Sequence, residues 1–581
     1  MDKTGVTHWL ARYGNGYHAW RRQGSDAFSR PCGIMEFRFD ADGRYFGGRA
    51  DVNALLNTSV STRLSAPRLQ HHLLLAYTLL RLRHCLLRAS VELRTLEVEP
   101  WFSVRIPASA DAAIRDAGKA VQFLDPDVDG VLDMADFYVH AQNVARVLDP
   151  SEVLSRLFVL PRKPEGSSRR KVQFLFVMAH QIVDGLSCMY WMADFTRIVN
   201  MPTEDIRLAI EAAVSPDSVR ASLPPAQEDL YAPVAPTRAQ QRWFWAITIV
   251  LKHVKKPLPE AFPNPLRRTI PLSKSRPLPP KYASALDYSQ TPPLNTFFVR
   301  FQLSKAASQR LYRLCRGVNA SIGAGGFVLV GMAMMAIHEA RYPNDTARRP
   351  FVGHFPLNAR SYFNSNLFEN VMLAFSKGIV LPFLPSHLDL EARFRLLART
   401  ASRQLGAYRK RDCLRDLGDA IAYNSINGVG RLLASNYIDG LERLRNTLPE
   451  HLRSAIPPPQ GAYTAPSWAV SRATCGVSSV GRVDWSVSSR PDVNTADPGT
   501  DGVFAAAESL HSGVRVRDTE FLVGTWSQDD VLTAVVSFDG NYIDELNVHA
   551  WVEVMKSLLE VRGEDDGVES QALKVSLSEE K

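Results

Sequence analysis

One stretch of the chain predicts a strand, a sharp loop and a helix, with His180 at the end of the strand. Residues 172–179 form an apolar run rich in β-branched and aromatic residues, which is typical of a buried strand. From Leu186 to Val199 apolar residues recur at helical spacing. The connecting sequence, HQIVDG, ends in Asp184-Gly185, which favours a turn. The pattern therefore places His180 at the rim of a sheet.

A histidine at that position can act as a general base, because the ordinary imidazole pKa lies close to neutral pH. The reaction that it suits is removal of a proton from a hydroxyl or amine as it attacks an acyl carbonyl. Asp184 can then anchor the loop through an ion pair, and Gly185 can permit close approach of the backbone at the turn. The structural alternative is a core histidine followed by an Asp-Gly turn.

Other segments resemble a known group in the same order along the chain. They are the strand 295–303 with the helix that follows Ser304, the small-residue helix 319–340, and the strand 353–360, which ends in Arg360. Together with HxxxDG they resemble the HxxxD-type acyltransferases, which include chloramphenicol acetyltransferase, the plant BAHD enzymes and peptide-synthetase condensation domains. The likeness extends over about residues 20–560.

The resemblance implies an α/β, two-lobed, chloramphenicol-acetyltransferase-like fold, in which each lobe is a mixed β-sheet with helices and the active-site channel lies between the lobes. It implies that His180 is the general base and that Arg360 pairs with a structural Asp184. Asn370 and Ser478 are implied to support the site. The residues that would bind a cofactor stay open.

The sequence departs from the family pattern at two places that concern contacts with the acyl donor, and the first makes the resemblance closer to the fungal and condensation-domain members. Phe538-Asp-Gly540 stands where plant members carry D-F-G-W-G, and Ser478-Ser479 replaces the usual Ser-Asn pair. The segments 12–20 and 46–51 resemble fungal secondary-metabolite O-acetyltransferases of the trichothecene 15-O-acetyltransferase type. The expected activity is CoA-dependent O-acyl transfer, with acyl-CoA (acetyl-CoA) as co-substrate, a small-molecule alcohol as acceptor and no permanently bound cofactor.

Two alternatives to this function stay open. One is a condensation-like domain that uses a carrier-protein-bound acyl donor. The other is a non-catalytic binding protein with Ca²⁺ in an acidic loop. Five aspartates fall at positions 1, 3, 5, 9 and 12 of an EF-hand pattern: Asp125, Asp127, Asp129, Asp133 and Asp136. Pro126, Val128 and the short carboxylate at position 12 count against a bound ion, so we predict an acidic surface loop without metal.

Composition and charge narrow the classes of protein that this sequence can represent. The 581 residues, 45% of them hydrophobic, can bury a large core. A formal charge of +8 suits CoA phosphates, nucleic acid or a membrane surface, but no recognisable nucleic-acid module is present. Six widely spaced cysteines without CxxC favour a reducing compartment and argue against structural zinc. With no apolar signal core and no apolar run near ~20 residues, the sequence predicts a cytoplasmic protein without a transmembrane segment. A monomer is expected.

The chain is expected to form two lobes. The predicted boundaries are an N-terminal lobe over 1–225, a Pro- and Lys/Arg-rich connection over 226–290, a C-terminal lobe over 291–562 and a disordered acidic tail over 563–581. A strand is predicted from Gly33 to Phe39. The segment Trp243 to Leu251 predicts a helix docked on the protein, with an interfacial membrane anchor as the alternative.

Overall fold

The structure is a computed structural model that describes residues 9–560 except for internal segments. Those segments are 95–97, 126–132, 162–168, 235–236, 255–257, 291–294, 364–368, 410–422, 427, 457–472 and 483–501. The predicted acidic tail lies outside the described residues.

The described strands form four open sheets. They are β1 Arg21–Gln23, β2 Ala27–Pro31, β3 Val52–Thr62, β4 Ser90–Arg94, β5 Glu99–Arg105, β6 Val121–Phe123, β7 Ser155–Pro161, β8 Arg169–Met178, β9 Thr296–Gln302, β10 Phe351–His354, β11 Pro356–Asn358, β12 Leu373–Phe375, β13 Ile379–Leu381, β14 Cys475–Arg482, β15 Val503–Val514, β16 Phe521–Gln528 and β17 Val531–Asp539. The sheet orders are β1-β2-β5-β4, β15-β3-β8-β7-β6, β13-β10-β14-β16-β17-β9 and the hairpin β11-β12.

The described α-helices pack on these sheets. They are α1 Ile34–Tyr45, α2 Ala66–Arg83, α3 Ala110–Lys119, α4 Met134–Asn143, α5 Gly185–Val199, α6 Thr203–Ala213, α7 Pro216–Ala221, α8 Arg238–Val254, α9 Lys305–Arg316, α10 Ile322–Arg341, α11 Leu390–Arg409, α12 Val429–Thr447 and α13 Glu545–Ser557. Short 3₁₀ helices follow at Cys85–Arg88, Gln227–Leu230, Ala359–Tyr362 and Glu450–Ala455.

Strand β8, which precedes His180, lies inside the five-stranded sheet. It pairs antiparallel with β3 on one side and with β7 on the other. A strand with neighbours on both edges has its backbone groups satisfied and can carry apolar residues on both faces. Phe174, Leu175 and Phe176 are accordingly all buried. His180 therefore follows a rigid strand.

The six-stranded sheet forms the core of the second lobe. Its one face packs against α10, where Gly326 approaches Thr525. On the opposite face Ser478, Val535 and Arg300 stand in one row, because Ser478 pairs with Gly524, Gly524 with Val535 and Val535 with Arg300. Arg300 Nη1 lies 2.7 Å from His511 Nε2 on β15, so this face turns towards the first lobe. The two-lobed α/β fold with mixed sheets is thus confirmed.

The two lobes exchange elements. β15, from the second half of the chain, pairs with β3 along its whole length in the sheet of the first lobe. Helix α12 likewise packs on α1, and Gly440 lies directly against Ile34. The predicted boundaries at residues 225, 290 and 562 stay predictions, but the first lobe needs segments from both halves of the chain.

The strand predicted from Gly33 to Phe39 is wrong, because this segment opens helix α1. Alternating apolar residues favour a strand, yet α1 is buried on nearly every side and so lacks the one-sided pattern of a surface helix. The buried Glu36 accepts a hydrogen bond from the Gly33 N–H at 2.7 Å and two from Arg30, both at 2.7 Å. These bonds cap the helix and satisfy charges that a buried strand would leave unpaired.

The apolar helix predicted over 319–340 is α10, which by length and composition alone could cross a membrane. An apolar run of this length is not expected from the sequence. However, 78% of its most apolar window is buried inside the protein, between the six-stranded sheet and neighbouring helices. Burial by protein explains its composition, so we assign it as a core helix.

Helix α8 is docked on the protein. Phe244 and Trp245 are buried, and Arg431 of α12 donates to the Phe244 carbonyl at 2.7 Å. Lys252 near its C-terminal end contacts Asp439 at 2.6 Å. The helix is therefore held by packing, a backbone hydrogen bond and an ion pair, as the docked interpretation predicts.

Gly325 marks the tightest approach between α9 and α10, since a Cβ there would overlap the Cys315 sulfur. We expect Gly325→Ala to lower the free energy of unfolding by about 1–3 kcal/mol through overpacking. The matched control is Gly406→Ala in α11, where no described atom lies within 4 Å of the added Cβ; it should raise stability by about 0.5–1 kcal/mol. Urea unfolding measures both, and equal shifts would contradict the packing.

Candidate active site

Asp184 is the N-cap of helix α5. Its Oδ1 accepts hydrogen bonds from the backbone N–H groups of Leu186 at 3.1 Å and Ser187 at 2.9 Å. These N–H groups have no partner inside the helix, and a carboxylate there also interacts favourably with the helix dipole. The last residue of the loop that carries His180 is thereby fixed to the start of a helix.

The other carboxylate oxygen of Asp184 is held by the second lobe. Arg360 Nη1 donates to Oδ2 at 2.8 Å, and the Met372 N–H donates to it at 3.0 Å. Arg360 Nη2 donates to Ser187 Oγ and to the Asn370 carbonyl, both at 2.7 Å. The Asp184 and Arg360 side chains are only 2% and 3% exposed. The structure thus joins three predicted site residues, Asp184, Arg360 and Asn370, in one buried network.

The hairpin β11-β12 sets the geometry of this network. Asn358 and Leu373 pair across it, and Arg360 follows directly in a 3₁₀ turn that is capped by the Asn358 side chain at 3.1 Å. Asn370 Nδ2 donates to the Pro225 carbonyl at 2.7 Å, which ties the hairpin to the first lobe. The second lobe therefore holds the loop of the first through residues in and beside this hairpin.

His180 stacks on Phe39 of α1. The ring centroids are 3.8 Å apart and the planes differ by 4°, so the imidazole has a defined plane. Its Nδ1 is buried, whereas the residue as a whole is partly exposed. Since Nδ1 is closed to solvent, Nε2 is the ring nitrogen left for a substrate to approach.

The surroundings of His180 favour its neutral form. Burial is the main cause that lowers the pKa of the imidazole below its ordinary value, and the guanidinium of Arg517 lowers it further. The Asp184 carboxylate and backbone groups of His180 and Val183 oppose this shift in part. A neutral imidazole has a lone pair available for a proton, which is what a general base requires.

The predicted backbone approach at Gly185 is not found. Gly185 is the first residue of α5, it is exposed, and no described atom lies within 4 Å of the position that a Cβ would take. A glycine is tolerated at the start of a helix without such an approach. The described atoms leave the space beside Gly185 open.

Ser478 lies on the other side of the interface between the lobes. Its carbonyl accepts a hydrogen bond from Thr525 Oγ1 at 3.2 Å, and its side chain faces the first lobe. Two residues along the same strand, Val480 packs against the cluster of Trp526 and Val535, against which Met189 of α5 also packs. The strand of Ser478 thus borders the helix that Asp184 caps, but no contact among the described residues joins Ser478 to His180.

Two described aspartates of the acidic loop form hydrogen bonds within the protein. Asp127 and Asp129 lie outside the described residues. Asp133 caps α4 by accepting from the Ala135 N–H at 2.8 Å, and Asp136 binds the Tyr282 hydroxyl and, at 3.0 Å, Lys281. Among the described residues no group of three or more His, Cys, Asp or Glu side chains could hold a metal ion.

Cys188 follows Gly185 by three residues and is fully buried. Burial is the main cause that raises the pKa of its thiol to about 12, and the nearby Asp184 carboxylate adds to the shift. The thiolate is the reactive form of cysteine, so this residue is not a nucleophile at neutral pH.

Sequence reasoning misses Phe39, Ser187 and Met372. Ser187 has a local signal, because the third residue after an N-cap aspartate returns to its carboxylate. Met372 contributes only a backbone N–H, which no side-chain pattern reveals. Phe39 is hidden because its segment has the period of a strand.

No family model matches the sequence, and no curated protein matches it either. Solved structures do match the fold. Trichothecene 15-O-acetyltransferase from Fusarium sporotrichioides superimposes with a TM-score of 0.60 at 13% identity, covering 94% of this chain and 97% of that one. The epimerization domain of the third module of tyrocidine synthetase B gives a TM-score of 0.49 at 11% identity, with 93% and 97% covered. The chain therefore has the same fold as that 15-O-acetyltransferase, the two-lobed α/β fold that its sequence predicts.

Loss of the buried ion pair should be far costlier than loss of an exposed one. We expect Arg360→Leu to lower the free energy of unfolding by about 3–5 kcal/mol, because Asp184 keeps a buried charge without its partner. Arg49→Leu is the control, since its partner Asp518 is 57% exposed; its effect should stay within about 1 kcal/mol. Urea unfolding of both variants tests this, and equal effects would contradict it.

Proposed function

We propose that the protein is a CoA-dependent acyltransferase that moves an acyl group, acetyl in the first instance, from acyl-CoA to a hydroxyl of a small-molecule acceptor. The observation that carries the proposal is the environment of His180: its ring stacks on Phe39 at 3.8 Å, the residue is partly exposed, and burial lowers the pKa of the imidazole, which favours the neutral form. The fold match to an enzyme whose name describes O-acetylation supports the choice of reaction.

In the proposed reaction His180 Nε2 takes the proton of the acceptor hydroxyl. The oxygen attacks the thioester carbonyl, and a C–O bond forms in a tetrahedral oxyanion. The intermediate collapses, the C–S bond breaks, and the CoA thiolate receives the proton from the imidazolium. No covalent bond to the enzyme is required.

The role proposed for Asp184 is to anchor the loop, which differs from the role of the aspartate in a Ser-His-Asp triad. Oδ1 accepts from two backbone N–H groups and lies 3.1 Å from the Ser187 hydroxyl, and Oδ2 accepts from Arg360 and the Met372 N–H. These donors occupy the lone-pair directions of both oxygens. His180 would therefore work as a single base.

The oxyanion needs a donor from the other side of the interface. We propose Ser478 for this role, because its side chain belongs to the face of the second sheet that turns to the first lobe. Asn370 would only help to position the site, because its backbone carbonyl accepts from Arg360 and its side-chain amide donates to the Pro225 carbonyl.

Removal of the base should abolish transfer. We expect His180→Ala to lower kcat for acyl transfer from acetyl-CoA to alcohol acceptors by at least about 10²-fold, the usual contribution of a general base. His451→Ala, at an exposed histidine, is the control and should keep full activity. Release of the free CoA thiol measures the rate, and urea unfolding shows that each variant is folded.

A folded His180→Ala protein with full activity would contradict the proposed mechanism. The donor is tested in the same assay by offering the acetyl group either on CoA or on a phosphopantetheinylated carrier protein. Transfer from the carrier alone would replace the CoA-dependent proposal by the condensation-like one.

The pH dependence follows from the lowered pKa of His180. Neutral imidazole is the active form, so kcat/KM should rise with pH through a single acid limb below about 6.5 and be level near neutral pH. Arg517 helps to lower this pKa, so Arg517→Gln should move the limb to higher pH. Arg49→Gln is the control. A limb that stays in place or moves to lower pH in Arg517→Gln would contradict the assignment.

A further inference from the structure

A pair of arginines flanks one aromatic ring beside the candidate site. Arg38 of α1 is 9% exposed, and its guanidinium carbon lies 5.3 Å from the centroid of the Phe375 ring on β12. The guanidinium carbon of Arg443, on α12, lies 5.8 Å from the same centroid. The Arg38 stem passes α12 at Gly440. We call Arg38 and Arg443, with Phe375 between them, the arginine pair.

Arg38 has no paired countercharge among the described residues, although the carboxylates of Asp42 and Asp439 attract its guanidinium from a distance. Its guanidinium forms no ion pair there, and its hydrogen-bond contact is with the Met35 sulfur at 3.7 Å, a weak acceptor. Asp42, four residues on along the same helix, is the natural partner, but its carboxylate lies 2.5 Å from Arg517. A buried cation without a partner is destabilising, so its presence needs a reason.

The carboxylates beside Arg443 are shared with another cation. Asp439 and Glu442 each lie 2.6 Å from Lys252 Nζ. These two carboxylates are therefore not reserved for Arg443. Burial is the main cause that lowers the pKa of Arg38 to about 9; Arg443 and Arg517 lower it further, whereas Asp42 and Asp439 oppose the shift in part.

The arginine pair is built on the same elements as the site. Phe39, the next residue after Arg38, stacks on His180. Phe375 follows Met372, whose N–H holds Asp184, by three residues on the same hairpin. At ~3.3 Å per residue this places Phe375 about 10 Å from that contact. A small molecule can span this distance.

We propose that the arginine pair binds a carboxylate or phosphate group of one of the two substrates that react at His180. Guanidinium groups bind such anions through paired N–H donors, and the anion would supply the countercharge that Arg38 lacks. The neighbouring ring excludes water and strengthens the attraction. Calling the ligand a substrate rests on the proposed function, whereas binding of an anion does not.

The first test measures the Tm of Arg38→Met, because its sign distinguishes an anion-binding arginine from one that stabilises the fold. Arg38→Met keeps the stem and removes the uncompensated charge, so without ligand its Tm should be higher than that of the wild type. Millimolar inorganic phosphate at constant ionic strength should raise the Tm of the wild type, by preferential binding to the folded state, and not that of Arg38→Met. Arg49→Met should respond like the wild type.

Two results would overturn the proposal. One is a lower Tm for ligand-free Arg38→Met, which would give Arg38 a structural role. The other is an equal response of the variant and the wild type to phosphate. If Arg38→Met does not fold, Arg38→Lys serves in its place: it keeps the charge but loses the paired donors, so the phosphate response should shrink.

Calorimetric titration identifies which substrate carries the anion. If the donor carries it, Arg38→Met should bind coenzyme A at least tenfold more weakly while its binding of pantetheine is unchanged. If the acceptor carries it, coenzyme A binding is the same in both proteins, and KM rises at least tenfold only for alcohols that bear a carboxylate or phosphate. A variant that differs from the wild type in neither respect overturns the proposal.

The outcome is separable from that of the proposed function. The phosphate response should persist in His180→Ala, because the arginine pair does not involve the imidazole. Absence of acyl transfer in the wild type together with a phosphate response that depends on Arg38 would refute the transferase alone. Full transferase activity without that response would refute the arginine pair alone.

Discussion

The buried ion pair between Asp184 and Arg360 holds the candidate site together. One partner comes from the loop after a strand of the first lobe and the other from a hairpin of the second, 176 residues away. Neither charge is stable in a dry interior without the other. The contact therefore does more than add stability, because it fixes how the two lobes meet at the loop of His180.

Because Asp184 is engaged in this ion pair, the orientation of His180 is left to another residue. In a Ser-His-Asp triad the aspartate orients the histidine. In this protein the aspartate holds the backbone, and the plane of the histidine is set by Phe39, an apolar ring. Burial keeps the pKa of His180 below its ordinary value, and the Asp184 carboxylate opposes this shift only in part. The neutral imidazole is the form that the proposed reaction uses.

Much of the fold can be predicted from sequence, because the signals are local. The apolar run before His180, the helix after it and the Ser304-capped helix all appear where the patterns predict them. The partner of Asp184 comes instead from the family resemblance, since no local pattern links it to Arg360. Helix α1 is missed for a physical reason: burial on all sides erases the helical period. Phe39 and Arg38, which lie on this helix, are missed with it. The pairing of β15 with the first lobe cannot be predicted from local patterns, because it depends on contacts between distant parts of the chain.

The electrostatics around His180 depend on how the charged residues of α1 are paired. Asp42 pairs with Arg517 at 2.5 Å, whereas Arg38 on the same helix forms no ion pair among the described residues. The guanidinium of Arg517 still helps to lower the pKa of His180, because a nearby positive charge disfavours the imidazolium. Arg38 is the residue proposed to attract an anion. Two different arginines would thus serve two requirements of the proposed reaction: Arg517 favours an unprotonated base, and Arg38 holds a charged group of the substrate. A neutral residue in place of Arg38 would remove only the second.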